Sequence, residues 1–370
     1  MSSSGLVLNA KLDGLLNAKS FDVAAWAKRP LTSAVLDVLT HFLVTQNSNH
    51  TRQAYARDIL EFLHFCKSIN TPIQRIDDIK ERHILFWKDN LIQKHARFEE
   101  SRRRVASSSV ARKLCTLSSF CEFSIKRKLI EDNPLKLITR PRVRRQSHAT
   151  VLNDTELKLV LNHSRRRLED SLSQLSNSTD DGKDDLRKAR IEWCILVMLF
   201  TIGMRVSELC QMKMNDVIWE GDLIRLHLLA KGGRQHNPLI HPESASVLLE
   251  YIRVMRAGAL PDSPLFPAAR KSAHSDSITH IHRSTVFRIV REAAARAGVT
   301  RSFSPHGCRA TLATQLHLNE VPVVEIQGLL NHAQVTTTQL YLHRVDELKE
   351  SAALKLPWTQ NNKLKPSRRA

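Results

Sequence analysis

From about residue 31 to 140, apolar side chains recur every three or four positions, the period of amphipathic helices. Leu36, Leu39, Phe42 and Leu43 share one face, and Tyr55, Ile59, Phe62, Leu63 and Cys66 share another. Val110, Leu114, Leu117 and Cys121 make a third stripe, and a further helix is expected over Glu81 to Gln93. Tyr55 lies on an apolar stripe and is read as core. Residues 1–30 have no evident period and are read as an extension, partly disordered. Asp132-Asn-Pro134 reads as a helix stop. After it, Arg140-Pro-Arg-Val-Arg-Arg145 reads as an exposed basic linker over 141–150.

The pattern predicts a second folded unit over 151–357. Asn153-Asp-Thr-Glu156 has the spacing of a helix start, an N-cap followed three residues later by a carboxylate. Residues 165–190 are dense in charge and are read as a surface insertion before a buried helix from Ile191 to Phe200. Short alternating stretches follow at Val217 to Trp219, Leu223 to Leu229 and Pro238 to Ile240. Turns at Glu-Gly-Asp222 and Lys231-Gly-Gly233 separate them, which predicts a small antiparallel sheet. Helices fill the remainder, and 358–370 is a basic polar tail. The expected fold class is mainly α with a small antiparallel β-sheet: a helical domain over 31–140, then a mixed α/β domain.

Composition narrows the partner. At 370 residues there is room for two domains, and 42% apolar with 25% charged residues suits a globular protein with real cores. Lys and Arg number 56 against 37 acids, a net charge of +19, which points to a phosphate-bearing partner. The basic residues run through the helical segments, unlike those of a ribosomal-type or tail-driven basic protein. The six cysteines have no C-x-x-C spacing and read as reduced thiols. His280-x-His282 lacks a nearby acid or thiol to complete a metal site, so no metal is assigned. The longest apolar run, Trp193 to Gly203, is far short of a membrane span, and the N-terminus has no signal-peptide pattern. The expectation is a cytoplasmic, nucleoid-associated protein with no membrane contact.

Candidate chemistry begins with Tyr341, one of three tyrosines, nine residues after His332. A phenol that attacks a DNA phosphate sets four demands. Fixed positive donors must hold the non-bridging oxygens. A nucleophile with an ordinary pKa of about 10 needs a base or a positive field. The departing 5′-oxygen needs a proton, and all groups must be held in line. Arginine suits the first demand because its planar fork keeps its charge. Arg205 and Arg309 both lie beside apolar runs, and Glu208, three residues after Arg205, is placed to hold its guanidinium. A structural ion pair explains Arg205 and Glu208 equally well. His306 and Arg309 stand i, i+3 on a helix expected to begin at Ser304-Pro305, so they share a face.

The order Gly-x-Arg205-x-Ser-Glu208-Leu, Lys231 in a hairpin turn, His306-x-x-Arg309, and His332 with Tyr341 nine residues on resembles the active-site order of the tyrosine recombinase family, phage integrase and Xer-like. In the first domain Asn49-His-Thr51-Arg-Gln-Ala-Tyr55-Ala-Arg-Asp58 is similar to that family's first DNA-clamping helix region, and Leu129 to Pro134 to the end of its last one. The resemblance implies a helical core-binding domain and a catalytic domain that together clamp duplex DNA. It implies that Arg205 and Arg309 bind the scissile phosphate, Lys231 protonates the leaving 5′-oxygen, His306 takes the phenolic proton, His332 hydrogen-bonds the phosphate and Tyr341 attacks. Glu208 would support. DNA contacts are expected from Arg52, Arg57, Arg102, Arg103, Arg104, Arg112, Arg142, Arg144 and Arg145. Neither metal, cofactor nor ATP is implied. The expected partners are double-stranded DNA and, on paired sites, a homotetramer or heterotetramer, with room for an accessory DNA-bound regulator. Val345 to Leu354 has an apolar face suited either to a neighbouring protomer or to its own domain. The chain departs from the family pattern in three places. Asn331 stands in place of a glycine, Ala310 stands in place of a histidine, and the hairpin after Lys231 is one residue shorter.

Two other functions share parts of this pattern. A type IB topoisomerase-like enzyme uses the same chemistry but acts as a monomer. A non-catalytic DNA-binding relative would be expected to have lost part of the constellation, and here every group is present. Residues 1–30 are too short for an arm-binding module, which favours an Xer-like or simple mobile-element recombinase.

Overall fold

The computed structural model of the chain describes residues 33–96, 107–141, 149–174, 180–229, 233–268, 279–332, 334 and 338. Expectations for residues 1–30, 142–148, 345–354 and 358–370 lie outside the described residues, as do those for Arg102, Arg103, Arg104, Arg142, Arg144, Arg145, Lys231 and Tyr341. The chain divides into two compact units, Met1–Arg144 and Arg145–Ala370.

In the first unit the described helices are α1 (Ser33–Val44), α2 (Asn49–Ser68), α3 (Glu81–Ala96) and α4 (Ser107–Lys126). Their apolar stripes meet in one core. Leu36, Leu39, Phe42, Leu43, Ile59, Phe62, Leu63, Cys66, Val110, Leu114, Leu117 and Cys121 are all buried there. Tyr55 packs on the same core with its ring stacked 5.8 Å from that of Phe42. Trp87 of α3 meets Phe62 edge-on at 5.2 Å. One buried charge crosses this core: Asp58 of α2 accepts both guanidinium forks of Arg112 on α4, and the Thr116 hydroxyl at 3.0 Å.

The helix stop differs from expectation. α4 ends at Lys126, where the chain turns through Lys128 at φ 58°, before Asp132-Asn-Pro134 is reached. Asn133 is a buried anchor instead. Its amide nitrogen donates to Glu122 at 2.6 Å and to the Ser118 hydroxyl at 3.1 Å, and its oxygen accepts from the Leu135 N–H at 3.0 Å.

The second unit opens with α5 (Asp154–Ser173), begun by the expected capping box. Asn153 accepts from the Glu156 N–H at 2.8 Å and Glu156 from the Asn153 N–H at 2.9 Å. The reading of 165–190 as a surface insertion is overturned. Its described residues belong to the end of α5 and the start of α6 (Asp180–Thr201), which packs against α5. The charges that suggested a loop sit on the outer faces as i, i+4 pairs, Arg165 with Glu169 and Lys188 with Asp184. Leu168, Leu186 and Ala189 are buried beneath them, with Trp193 packed alongside. The buried helix therefore starts at Asp180, well before Ile191.

From Cys194 to Phe200 every residue of α6 is buried, so this helix forms the axis of the unit. Around it pack α8 (Pro242–Met255), α9 (Arg283–Arg296) and α10 (Pro305–Leu318). Glu192 is a buried carboxylate satisfied from α5 and from α9. It accepts from the Ser164 hydroxyl at 2.6 Å, from Arg167 at 2.9 Å and from Arg296 at 2.5 Å.

The expected sheet is present as two antiparallel pairs. β1 (Val217–Glu220) pairs with β2 (Leu223–Leu226), and β3 (Leu228–Leu229) with β4 (Gln235–His236). The single strand expected over Leu223 to Leu229 breaks at His227, whose N–H turns to the Asp216 carbonyl at 2.8 Å. Pro238 and Ile240 run beside β2, with Arg225 bridging to Leu239. A short helix, α7 (Val206–Gln211), follows α6, and α11 (Val323–Leu330) follows α10. Among the described residues no helix is long and apolar enough to cross a membrane.

Candidate active site

The site is built where α6 ends and α7 begins. Gly203 makes that turn at φ +65°, and a Cβ there would lie 2.6 Å from a Leu330 methyl and 2.8 Å from a Leu312 methyl. Both the backbone angle and the space demand glycine. Arg205 then takes the N-cap position of α7. Glu208 serves it twice, accepting the Arg205 N–H at 2.7 Å and its guanidinium, also at 2.7 Å. One carboxylate thus caps the helix and fixes the arginine, and this pairing is what allows Glu208 to be buried.

Arg205 also donates to the carbonyl of Asn331 at 3.1 Å. Asn331 is the C-cap of α11 and adopts the left-handed conformation, φ 48° and ψ 51°, as expected for Asn in place of glycine. Arg309, buried on α10, donates to the Gly203 carbonyl at 2.5 Å and to the Leu330 carbonyl. The C-terminal end of α11 therefore receives both guanidinium groups. Unsatisfied carbonyls there carry partial negative charge, which offsets the repulsion between the two cations.

His306 is in the first turn of α10, which begins with Ser304 as N-cap and Pro305, as expected. Partial desolvation, then the Arg309 charge, lowers its pKa below the ordinary histidine value. Both effects favour the neutral form at physiological pH. His332 follows Asn331 and is buried. Gln327 holds its backbone on both sides: the Gln327 carbonyl accepts the His332 N–H at 3.1 Å, and the Gln327 amide donates to the His332 carbonyl at 3.0 Å. His332 Nδ1 lies 2.8 Å from Thr338 Oγ1. Burial first, then Arg309, Arg205 and His306, lowers its pKa to about 3, so this ring is neutral.

The structure thus brings together Arg205, Glu208, His306, Arg309 and His332. Lys231 and Tyr341 are outside the described residues, but β3 and β4 pair on either side of Lys231 in sequence. The other two tyrosines are core residues, Tyr251 donating its hydroxyl to the Leu265 carbonyl at 3.1 Å. Of the arginines expected at DNA, Arg112 is committed to Asp58, Arg52 donates to the Gln46 carbonyl at 2.8 Å, and Arg57 is exposed on α2.

Three residues at the site had escaped the sequence reading. His236 is half-buried on β4 and faces the backbone of Gly328. Burial lowers its pKa, against the pull of nearby Glu208 and with the push of Arg309 and Arg205. Its signal was its place on the return strand after Lys231. Gln327 and Thr338 had no signal, since each acts through a hydrogen bond that only the folded chain creates.

Comparison with known proteins identifies the lineage. Residues 39–128 match the phage integrase N-terminal SAM-like domain and residues 165–347 match the phage integrase family. A tyrosine recombinase of Pseudothermotoga lettingae is 30% identical over 320 residues, covering 86% of this chain and 96% of its own. The chain belongs to the phage integrase family of tyrosine recombinases. Tyrosine recombinase XerC of Thermodesulfovibrio yellowstonii is 26% identical over 316 residues, covering 84% of the recombinase and 91% of that protein. Among solved structures, XerH bound to palindromic difH substrate in a post-cleavage complex aligns with a TM-score of 0.62 at 19% identity, covering 96% of this chain and 95% of that one. A lambda integrase tetramer bound to a Holliday junction aligns at 0.56 with 16% identity, covering 91% and 85%. At those identities the likeness is one of fold. The recombinase is a site-specific enzyme of DNA strand breakage and rejoining, with an N-terminal SAM-like core-binding domain and a C-terminal integrase domain.

Proposed function

We propose that the recombinase cuts DNA by transesterification through Tyr341. The Tyr341 phenolic oxygen attacks the scissile phosphorus, and the bond from phosphorus to the 5′-oxygen breaks. His306 takes the phenolic proton and Lys231 gives its own to the departing 5′-oxygen. The products are a 3′-phosphotyrosyl link and a free 5′-hydroxyl. A 5′-hydroxyl of another strand reverses the step, and because the phosphotyrosine conserves the bond energy no ATP enters. Arg205 and Arg309 hold the non-bridging oxygens, and His332 donates to the same phosphate. Glu208 keeps Arg205 in place.

The observation that carries this reading is the convergence of Arg205, Arg309 and His332 at the end of α11, with His306 one turn from Arg309 on α10. Loss of either guanidinium should cost about 3–4 kcal/mol of transition-state stabilisation. We assign duplex DNA as substrate, a tetramer on paired sites as the working assembly, and integration, excision or dimer resolution as the outcome. The reaction would take place in the cytoplasm, on the nucleoid. A nicked suicide duplex bearing the cognate site tests the chemistry. Wild type should become covalently attached to the 3′ end and Tyr341→Phe should not. A wild type that forms no adduct would overturn the mechanism.

A further inference from the structure

His332 has two ring nitrogens, and only one is accounted for by the proposed chemistry. The other, Nδ1, lies 2.8 Å from the hydroxyl of Thr338, which is fully buried. A buried hydroxyl must place its hydrogen on an acceptor. A buried neutral imidazole must likewise find a donor for its bare nitrogen. One arrangement serves both: the Thr338 hydroxyl donates to Nδ1. The ring then carries its proton on Nε2, because the hydrogen bond at one nitrogen decides the state of the other.

We infer that Thr338 is a positioning residue that locks His332 in the Nε2–H tautomer and so presents a hydrogen-bond donor, not a lone pair, to the scissile phosphate. The inference rests on the phosphate-binding role proposed for His332. In the opposite tautomer a lone pair at Nε2 would confront an anionic oxygen, and the contact would be repulsive. The arginines supply the reason the choice has to be made locally. Burial, and then their positive field, keeps the ring neutral, so it never holds both protons and cannot donate from both sides. Gln327 fixes the His332 backbone, and Thr338 fixes what that backbone leaves undecided, the rotation and protonation of the ring.

Thr338 has a second consequence through its place in the chain. Only three peptide links separate it from Tyr341, so the two α-carbons lie within about 11 Å whatever the intervening conformation. The bond to His332 therefore also tethers the segment that leads to the proposed nucleophile.

The experiment uses the full-length recombinase with histidine-selective ring 15N labelling, His332→Asn serving only to assign the His332 resonances. Wild type should display a protonated Nε2 and a bare Nδ1 at neutral pH. A protonated Nδ1 would overturn the inference. In parallel, Thr338→Val removes the hydroxyl at nearly constant shape, and Thr338→Ser restores it. Thr338→Val should slow adduct formation on the nicked suicide duplex roughly tenfold, the worth of one net hydrogen bond, with DNA affinity unchanged. Thr338→Ser should recover most of that rate. A Thr338→Val enzyme as fast as wild type, or a Thr338→Ser enzyme as slow as Thr338→Val, would sink it. Should Thr338→Val fail to fold, the wild-type ring spectrum still decides the tautomer. A wild type that forms no adduct removes the proposed mechanism, while the ring spectrum separately reads the Thr338 bond.

Discussion

Gly203 does three things at one position: it turns the chain at a positive φ, leaves room for Leu330 and Leu312, and lends its carbonyl to Arg309. Gly203→Ala should therefore lower stability by roughly 1–3 kcal/mol through strain and overpacking. It should also slow DNA cleavage, because relief of the clash moves the Arg309 anchor. Urea unfolding read beside adduct formation checks both, and a variant with wild-type values in each would contradict the assignment. His332 gives a pH signature. Its folded pKa of about 3 lies below the roughly 6.5 of an unfolded histidine, so between those values the unfolded chain binds more protons. The stability it contributes is full above about pH 6.5 and is lost as pH falls toward 3. Wild type should thus lose more stability than His332→Asn between pH 7 and pH 5, measured as denaturation midpoints. Equal losses would mean that the ring is not held neutral. At this scale Arg205, Glu208, His306, Arg309 and His332 were singled out from type, spacing and family resemblance, and the fold places them together, whereas the Thr338 hydroxyl and the Gln327 amide gave no signal. The sequence was also silent where the partner is main chain. No residue pattern announces that the Gly203, Leu330 and Asn331 carbonyls receive the guanidinium groups.

Among the elements, periodicity was read well where one face is apolar and one polar. The stripes of α1, α2 and α4 and the capping box of α5 are cases in point. It failed on 165–190, where charge density hid two helix ends with their few buried contacts, Leu168, Leu186 and Ala189. It failed again after α4, because Asp132-Asn-Pro134 has stop-like residues that the fold uses as an anchor instead. The bond from α2 to α4 invites a test. Asp58 is almost fully buried while Arg112 is half-exposed, so removing the carboxylate orphans only a partly solvated cation, and the Thr116 hydroxyl keeps the Arg112 carbonyl at 3.2 Å. Asp58→Ala should destabilise the first unit by roughly 2–3 kcal/mol, less than a fully buried pair would. Thermal unfolding of that unit is the readout. A change under about half a kcal/mol would place Asp58 with ordinary surface substitutions.

For the molecule as a whole, the excess of 56 basic over 37 acidic residues governs how it meets DNA. Affinity should fall linearly on a plot of log K against log salt, with a slope of about 0.9 for each phosphate neutralised. Titrations from 50 to 200 mM salt should give the same slope on cognate and random duplexes to the extent that backbone contacts are shared. A flat line would remove electrostatics as the source of affinity. The end of α11 bears on how such an enzyme changes over time. Of the four groups named as holding Arg205 and Arg309, three are peptide carbonyls, and no codon change can delete a carbonyl. That half of the site is inherited as a path of the chain, not as a set of side chains. It can outlast drift to the 26–30% identity seen between this chain and the tyrosine recombinases it resembles, provided Gly203 and a left-handed residue at Asn331 keep the path intact.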